Sequence, residues 1–185
     1  MKKLSFMGRL RRFGKASGGL AALEFAALAP MMVLLLFGSV DLLDMLHANR
    51  RAQNTAASVA DVIARDTEVS NAEIAGLWSA VNILMFPNNG ADVQLRITSV
   101  RIVDSSRAEV VWSESRGAGL PALNPGQNVA TQLPAQMLQP GSSVIWTETL
   151  FPYSSPMGFL NDGASNFRHN AFRRSRLVDP IPRVS

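Results

Sequence analysis

The chain has 185 residues and no cysteine, and its 18 lysines and arginines against 14 aspartates and glutamates give a formal charge of +4. This length suits one small domain beside any membrane segment, and the lack of cysteine excludes disulfides and thiolate metal sites. Six of the cations fall within residues 1–19, so the rest of the chain holds 12 basic and 14 acidic residues. No nucleic-acid partner is therefore expected.

Residues 1–19 form a basic leader that is predicted to stay in the cytoplasm. They contain no acid, and their cations are Lys2, Lys3, Arg9, Arg11, Arg12 and Lys15. Positive charge beside a membrane span is retained on the cytoplasmic side. Everything that follows the span is therefore expected to be exported.

Residues 20–40 are predicted to form a single transmembrane helix. This run of 21 residues contains one ionisable side chain, Glu24. As a helix it would be about 31 Å long, close to the roughly 30 Å of a hydrocarbon core, whereas a secretory signal has an apolar core of about 7–15 residues. Pro30 lies within the run and is interpreted as a local kink, which membrane helices tolerate.

Glu24 is the unusual residue of this span, because an acid at the centre of a membrane helix costs about 2.5–3.5 kcal/mol. One interpretation places it in the first helical turn, near water and the positive helix end. The other requires a cut between Gly19 and Leu20, which makes Glu24 the fifth residue of the shortened chain. Its carboxylate could then pair with the new terminal ammonium of a neighbouring helix. Both interpretations stay open on the residues alone.

The segment 17–30 closely resembles the start of TadE-like pilus assembly proteins, which are pseudopilins of the Tad/Flp pilus. The residues that carry the resemblance are Gly18, Gly19, Leu20, Glu24 and Phe25. The resemblance implies that a prepilin peptidase removes the leader between Gly19 and Leu20. It also implies that Gly18, Glu24 and Phe25 belong to a processing and subunit-docking motif. The length fits the TadE and TadF types and not the larger TadG-like proteins.

The same resemblance implies a location and a set of partners. The location is the bacterial inner membrane, crossed once, with the amino terminus in the cytoplasm and the carboxyl-terminal domain periplasmic or extracellular. The partners are the prepilin peptidase, other pilins and pseudopilins of the Tad system, the inner-membrane assembly platform and the lipid bilayer. The implied role is that of a minor component in pilus assembly. An uncleaved bitopic scaffold or binding protein would have a similar sequence and is the alternative.

After residue 40 the helix is predicted to continue as an amphipathic rod through residues 41–66. Apolar and alanine residues recur there at helical spacing, with charged residues between them. The apolar face is expected to pack on the exported domain.

The exported domain, residues 70–185, is expected to be α+β and pilin-like, with a second helix and a small antiparallel sheet. Ser70 and Glu73 predict a capping box that opens a helix ending near Phe86. Trp78 and Phe86 are interpreted as core residues, and a groove for a partner is the alternative. Alternating apolar residues predict strands at residues 93–103, 109–113 and 144–150. Residues 117–139 are expected to form a structured loop with one short helix near Val129.

Past Pro152 the chain is expected to be irregular, with no long helix. A cluster of cations there, consisting of Arg168, His169, Arg173, Arg174 and Arg176, is interpreted as a solvated tail. His47 and His169 are the only histidines, and no nucleophile or phosphate-binding motif accompanies them. No enzyme activity, cofactor or metal site is expected, and a secreted hydrolase is the weak competing class.

Overall fold

A computed structural model describes residues 19–155, 157–158 and 165–185 of the chain. Residues 1–18 of the predicted leader, Gly18 among them, lie outside the described residues. Within these residues, two α-helices and a four-stranded antiparallel sheet make up the fold, which confirms the α+β prediction. One long helix carries both the apolar segment and a buried face of the domain.

The first helix, α1, spans Leu20–Ile63 and continues without interruption through Pro30. Its 44 residues give a rod about 65 Å long, slightly shorter than predicted. Only its second half packs on the domain. The buried residues there recur every three or four positions and are mostly small: Ala48, Ala52, Thr55, Ala56, Val59, Ala60 and Ile63. Small side chains let the helix axis approach the sheet closely.

The second helix, α2, spans Asn71–Leu84 and begins with the predicted capping box. The Ser70 hydroxyl accepts from the Glu73 amide at 3.3 Å, and the Glu73 carboxylate accepts from the Ser70 amide at 2.5 Å. The second bond lowers the pKa of Glu73. The prediction that Phe86 is a core residue is wrong, since 78% of it is exposed. Because α2 ends at Leu84, helical spacing no longer places Phe86 on the buried face.

The sheet has the strand order β2-β1-β3-β4, with every neighbouring pair antiparallel. Its strands are β1 Gln94–Ile102, β2 Ala108–Arg116, β3 Ser143–Tyr153 and β4 Ser165–Arg174. The first three confirm the predicted strands and extend two of them. The two faces of the sheet carry separate cores, one covered by α1 and α2 and the other by the loop between β2 and β3.

Strand β4 corrects the prediction of an irregular tail. Only Phe167, Ala171 and Phe172 of its ten residues are apolar, so alternation alone gives a weak strand signal. As an edge strand it tolerates charge, and it pairs along its full length with β3. Residues on its two faces meet α1 and the covering loop, respectively.

The loop between β2 and β3 contains two short 3₁₀ helices, Ala130–Gln132 and Ala135–Met137, beside the expected position at Val129. Val129, Ala130 and Leu133 bury against the second face of the sheet. Beneath the loop, Arg96 forms an ion pair with Glu148 and lies 5.2 Å from the centre of the Trp146 ring. The loop is thus a structured lid on this face.

The segment after β4 is also part of the domain. Ile181 is fully buried, and its carbonyl accepts from the Trp112 indole at 2.9 Å. Val69 donates to Pro182 and accepts from Val184, both at 2.9 Å. The last residues therefore join β2 to the connection between α1 and α2.

Candidate functional site

Gly19 is the residue just before α1, and the structure does not require glycine there. Its φ of −89° and ψ of −15° are ordinary right-handed helical values. A Cβ added at this position would meet nothing within 4 Å. Gly90 shows the contrast, because a Cβ there would lie 2.4 Å from the Cα of Asn82. Neither backbone strain nor packing among the described residues explains Gly19.

The predicted site residues that follow are all exposed on the first turns of α1. Leu20 is 61% exposed, Phe25 is 65% exposed, and Glu24 is exposed as well. Glu24 lies one turn above Leu20, on the same side of the helix. The structure thus places Gly19, Leu20, Glu24 and Phe25 together at the start of α1, and their roles in processing and docking stay predictions.

The segment 20–40 is apolar and almost entirely uncovered by the rest of the protein. Its helix contains a window of 18 residues with mean hydropathy 2.2, none of which is buried. A soluble core helix of this composition would be covered by the fold. By length and composition the helix can cross a membrane, which is consistent with a membrane-anchored protein.

A line of polar contacts joins the second half of α1 to β3, β4 and the residues beside them. We call this line the seam. Its contacts are Asp41 with the Ser155 hydroxyl, Asp44 with the Tyr153 hydroxyl at 2.8 Å, Asn49 with His169 at 2.7 Å, the Ala52 carbonyl with the Thr149 hydroxyl at 3.2 Å, and Asp61 with Arg176 at 2.8 Å. From Asp41 to Asp61 the seam covers about 30 Å of helix. The second half of α1 is therefore joined to the domain at five places along its length.

The lower part of the seam holds two carboxylates close to the apolar segment. Asp41 is only 4% exposed, and Tyr153 is 3% exposed beside it. Burial, followed by the hydrogen bond to Asp44 and its charge, raises the pKa of Tyr153 to about 12. Burial also lowers the pKa of His169. Each of these acids accepts a hydrogen bond from a hydroxyl donor.

The carboxyl-terminal cations do not form the solvated tail that was predicted. Arg173 and Arg176 both approach Asp61 on α1, at 3.9 and 2.8 Å. Arg168 approaches Glu148 at 3.2 Å, and Arg174 donates to the Gln136 carbonyl at 2.8 Å. The alternation of β4 divides the cluster between the two faces of the sheet. That division could have been found only by recognising β4 as a strand.

The described residues hold no group of three or more histidines, aspartates and glutamates placed to bind a metal ion. His47 is exposed on α1, whereas His169 faces the seam and contacts Asn49. The two histidines therefore have different surroundings.

A segment of the chain matches a known protein family. Residues 19–61 match the model of the family described as TadE-like protein, which confirms the resemblance over that segment. The match begins at Gly19 and ends within α1, so it covers the exposed span and most of the seam. Neither the curated proteins nor the solved structures with which the chain was compared include a match.

Proposed function

With a TadE-like segment at residues 19–61 as the premise, we propose that this chain is a minor pseudopilin that a prepilin peptidase cleaves between Gly19 and Leu20. The family match points to a Tad pilus-associated protein. The cleavage, the minor role and the orientation in the bacterial inner membrane belong to the proposal. The role is structural and non-enzymatic.

The observation that carries the proposal is the unexplained glycine at position 19. Glycine before a helix lowers helix stability relative to a capping residue, and here neither φ nor space demands it. A peptidase that must draw an extended backbone into its active site provides a reason, because a side chain next to the cut bond would obstruct close approach. The exposure of Gly19 and Leu20 leaves that bond accessible.

Cleavage would give Glu24 a partner. The new ammonium on Leu20 and the Glu24 carboxylate of a neighbouring helix could neutralise each other in a bundle of similar helices. Transfer of the span from lipid to such a bundle costs little apolar contact, since both surroundings are oily. The seam would carry the domain along with the helix into the assembly.

The first experiment tests cleavage. The chain is co-expressed with its prepilin peptidase, and the mature protein is examined by amino-terminal sequencing and intact mass. We expect wild type to begin at Leu20 and Gly19→Val to retain the leader. Gly76→Ala is the matched control, because Gly76 is also exposed and a Cβ there meets nothing within 4 Å. Wild type that still begins at Met1 would support the uncleaved bitopic alternative.

The second experiment tests Glu24. Glu24→Gln removes the charge but keeps the size, so insertion and cleavage should continue while incorporation into pili falls. Glu68→Ala, an exposed acid outside the span, is the control and should leave incorporation unchanged. Pull-down of cleaved subunits with other Tad components provides the readout. Normal incorporation of Glu24→Gln would exclude charge pairing as the docking device.

A further inference from the structure

A group of exposed apolar side chains lies where the domain approaches the span. We call six of them the rim: Leu42, Leu43, Leu46, Ile83, Phe86 and Met157. Each is between 43% and 78% exposed. They come from three separate parts of the chain, so a single local sequence bias does not explain them. Scattered exposed apolar residues are ordinary on a protein surface, but a set that collects on one side marks a contact surface.

The course of α2 brings Ile83 and Phe86 toward the span. Helix α1 ends at Ile63, and α2 then packs on the same core as the second half of α1. The turn after α2 is joined to α1 low on the rod, where the Arg51 guanidinium donates to the Asn88 side chain at 3.0 Å. Arg51 is only five positions, about 8 Å of helix, above Leu46.

The end of β3 brings the third part of the rim to the same level. Tyr153 contacts Asp44, and Ser155 contacts Asp41, which is the residue after the apolar segment. Met157, two residues further, is 53% exposed. The domain therefore approaches the level of the span through two separate segments, the turn after α2 and the end of β3.

The length of the exposed apolar surface on α1 bears on whether the rim contacts lipid headgroups. Exposed apolar residues on α1 run from Leu20 to Leu46, which is about 39 Å of helix. That exceeds a hydrocarbon core of about 30 Å but fits the 40–45 Å of a bilayer with its headgroup layers. At the Leu46 end, where the rim lies, the excess would extend into a headgroup layer.

We propose that the rim rests in the headgroup layer of the adjacent membrane leaflet, with Phe86 and Met157 as its deepest side chains outside α1. The occupant of this surface is lipid, because the rim continues directly from the lipid-facing span. Charge agrees with that choice: Asp41 and Asp44 are held inward by Ser155 and Tyr153, whereas exposed Arg50 stands at the level of the rim, where it can meet headgroup phosphates.

This contact would fix the rotation of the domain about the membrane normal. A single transmembrane helix leaves the domain free to rotate and tilt. Three contact points that prefer the membrane interface would restrict both motions. The proposal rests on the span being in lipid and not on cleavage or pilus assembly. When the subunit leaves the membrane, the rim would lose its contact with lipid and become exposed.

The absence of cysteine gives a direct test, since any introduced cysteine is a unique labelling site. The full chain is reconstituted in phosphatidylcholine vesicles with a nitroxide at Phe86→Cys or Met157→Cys. Spin-label relaxation by oxygen and by a water-soluble nickel chelate then reports the depth of each label. Leu35→Cys is the lipid reference, and Val103→Cys and Leu177→Cys are exposed apolar references away from the rim.

We expect the ratio of oxygen to nickel accessibility at Phe86 and Met157 to be several-fold above that at Val103 and below that at Leu35. Near-ultraviolet circular dichroism checks that each labelled variant is folded. Equal ratios at Phe86, Met157 and Val103, with Leu35 in lipid, would overturn the proposal and leave the rim for a protein partner. A water-accessible label at Leu35 would overturn both the span and the rim contact.

Discussion

Tyr153 donates its phenolic hydrogen bond to Asp44 at 2.8 Å, which joins the last residue of β3 to α1 just beyond the apolar segment. The two residues are 109 positions apart in the chain. Asp44 is partly buried there, and its carboxyl accepts the hydrogen bond of the phenol. The phenol is therefore both the donor that stabilises Asp44 and a group whose own ionisation the site opposes.

Ionisation of Tyr153 should destabilise the domain at high pH. The pKa of its phenol is about 12 in the fold, whereas an unfolded tyrosine titrates near 10. The unfolded state therefore loses its proton first, and the stability contributed by Tyr153 is full below pH 10 and lost as pH rises toward 12. Tyr153 is the only tyrosine in the chain, so absorbance at phenolate wavelengths reports this group alone.

The measurement is a spectrophotometric titration of the full chain in detergent micelles, with thermal unfolding at each pH. We expect a midpoint near 12 and a loss of stability above pH 10 that Tyr153→Phe lacks. At neutral pH the same variant should lose about 1–2 kcal/mol, because a hydrogen bond to a charged acceptor is removed. A midpoint near 10 would contradict the buried, acid-paired environment.

Thr147 and Thr149 should respond in opposite directions to the same substitution. Both are fully buried on the face of β3 that meets α1. The Thr147 hydroxyl has no hydrogen-bond partner among the described residues, whereas that of Thr149 donates to the Ala52 carbonyl. Thr147→Val should therefore stabilise the domain by about 1 kcal/mol, and Thr149→Val should destabilise it by a similar amount.

Urea unfolding of the two threonine variants in micelles gives the comparison under identical conditions. Each serves as the control for the other, because the change in shape and burial is the same. Destabilisation by Thr147→Val would show that its hydroxyl is satisfied in the folded protein.

Glu148 should be among the most sensitive positions of the domain. It is 3% exposed and forms an ion pair with Arg96, which is 7% exposed and also donates to the Pro121 carbonyl at 2.9 Å. Glu148→Gln leaves a buried guanidinium without its counter-charge, so we expect a loss of about 3 kcal/mol. The lid loop, which Arg96 holds through Pro121, should become sensitive to protease first.

Glu109→Gln is the matched control for Glu148→Gln. Its ion pair with Arg107 lies at the surface, where the Arg107 side chain is 61% exposed, so the change should cost less than about 1 kcal/mol. Limited proteolysis and thermal unfolding separate the two variants. Similar losses of stability in the two variants would mean that the buried pair of Arg96 and Glu148 stabilises the domain no more than the surface pair does.

Two glycines offer a test of backbone packing. Gly76 lies in α2 with open space around it, so Gly76→Ala should stabilise the protein by about 0.5–1 kcal/mol. Gly90→Ala would place a Cβ against the backbone of Asn82 and should destabilise it. Thermal unfolding shows whether each variant is stabilised or destabilised. A Gly90→Ala variant as stable as wild type would show that the turn after α2 can rearrange at little cost.

Local signals predicted the elements that depend on neighbours in sequence. Ser70 and Glu73 are three residues apart, so their reciprocal caps could be recognised directly, and β-branched alternation gave three strands. Strand β4 was missed because pairing with β3 stabilises it more than its own composition does. Its cations were misread for the same reason, since their partners Asp61 and Glu148 are distant in the chain.

The candidate site divides in the same way. Gly19, Leu20, Glu24 and Phe25 could be predicted because the motif is continuous, and the family match begins there. The seam and the rim could not, because they join α1 to residues more than 30 positions away. Phe86 illustrates the difficulty: its hydrophobicity favoured the core, and only the observed end of α2 places it outside.

The position of Ile181 has a consequence for biosynthesis. Its side chain completes a core that also contains Ala60 from α1 and Trp112 from β2. During synthesis, the span and first three strands emerge long before this residue. Until it arrives, the core lacks the Ile181 side chain, and the Trp112 indole lacks its carbonyl acceptor. This core is therefore completed only after all four strands have been made.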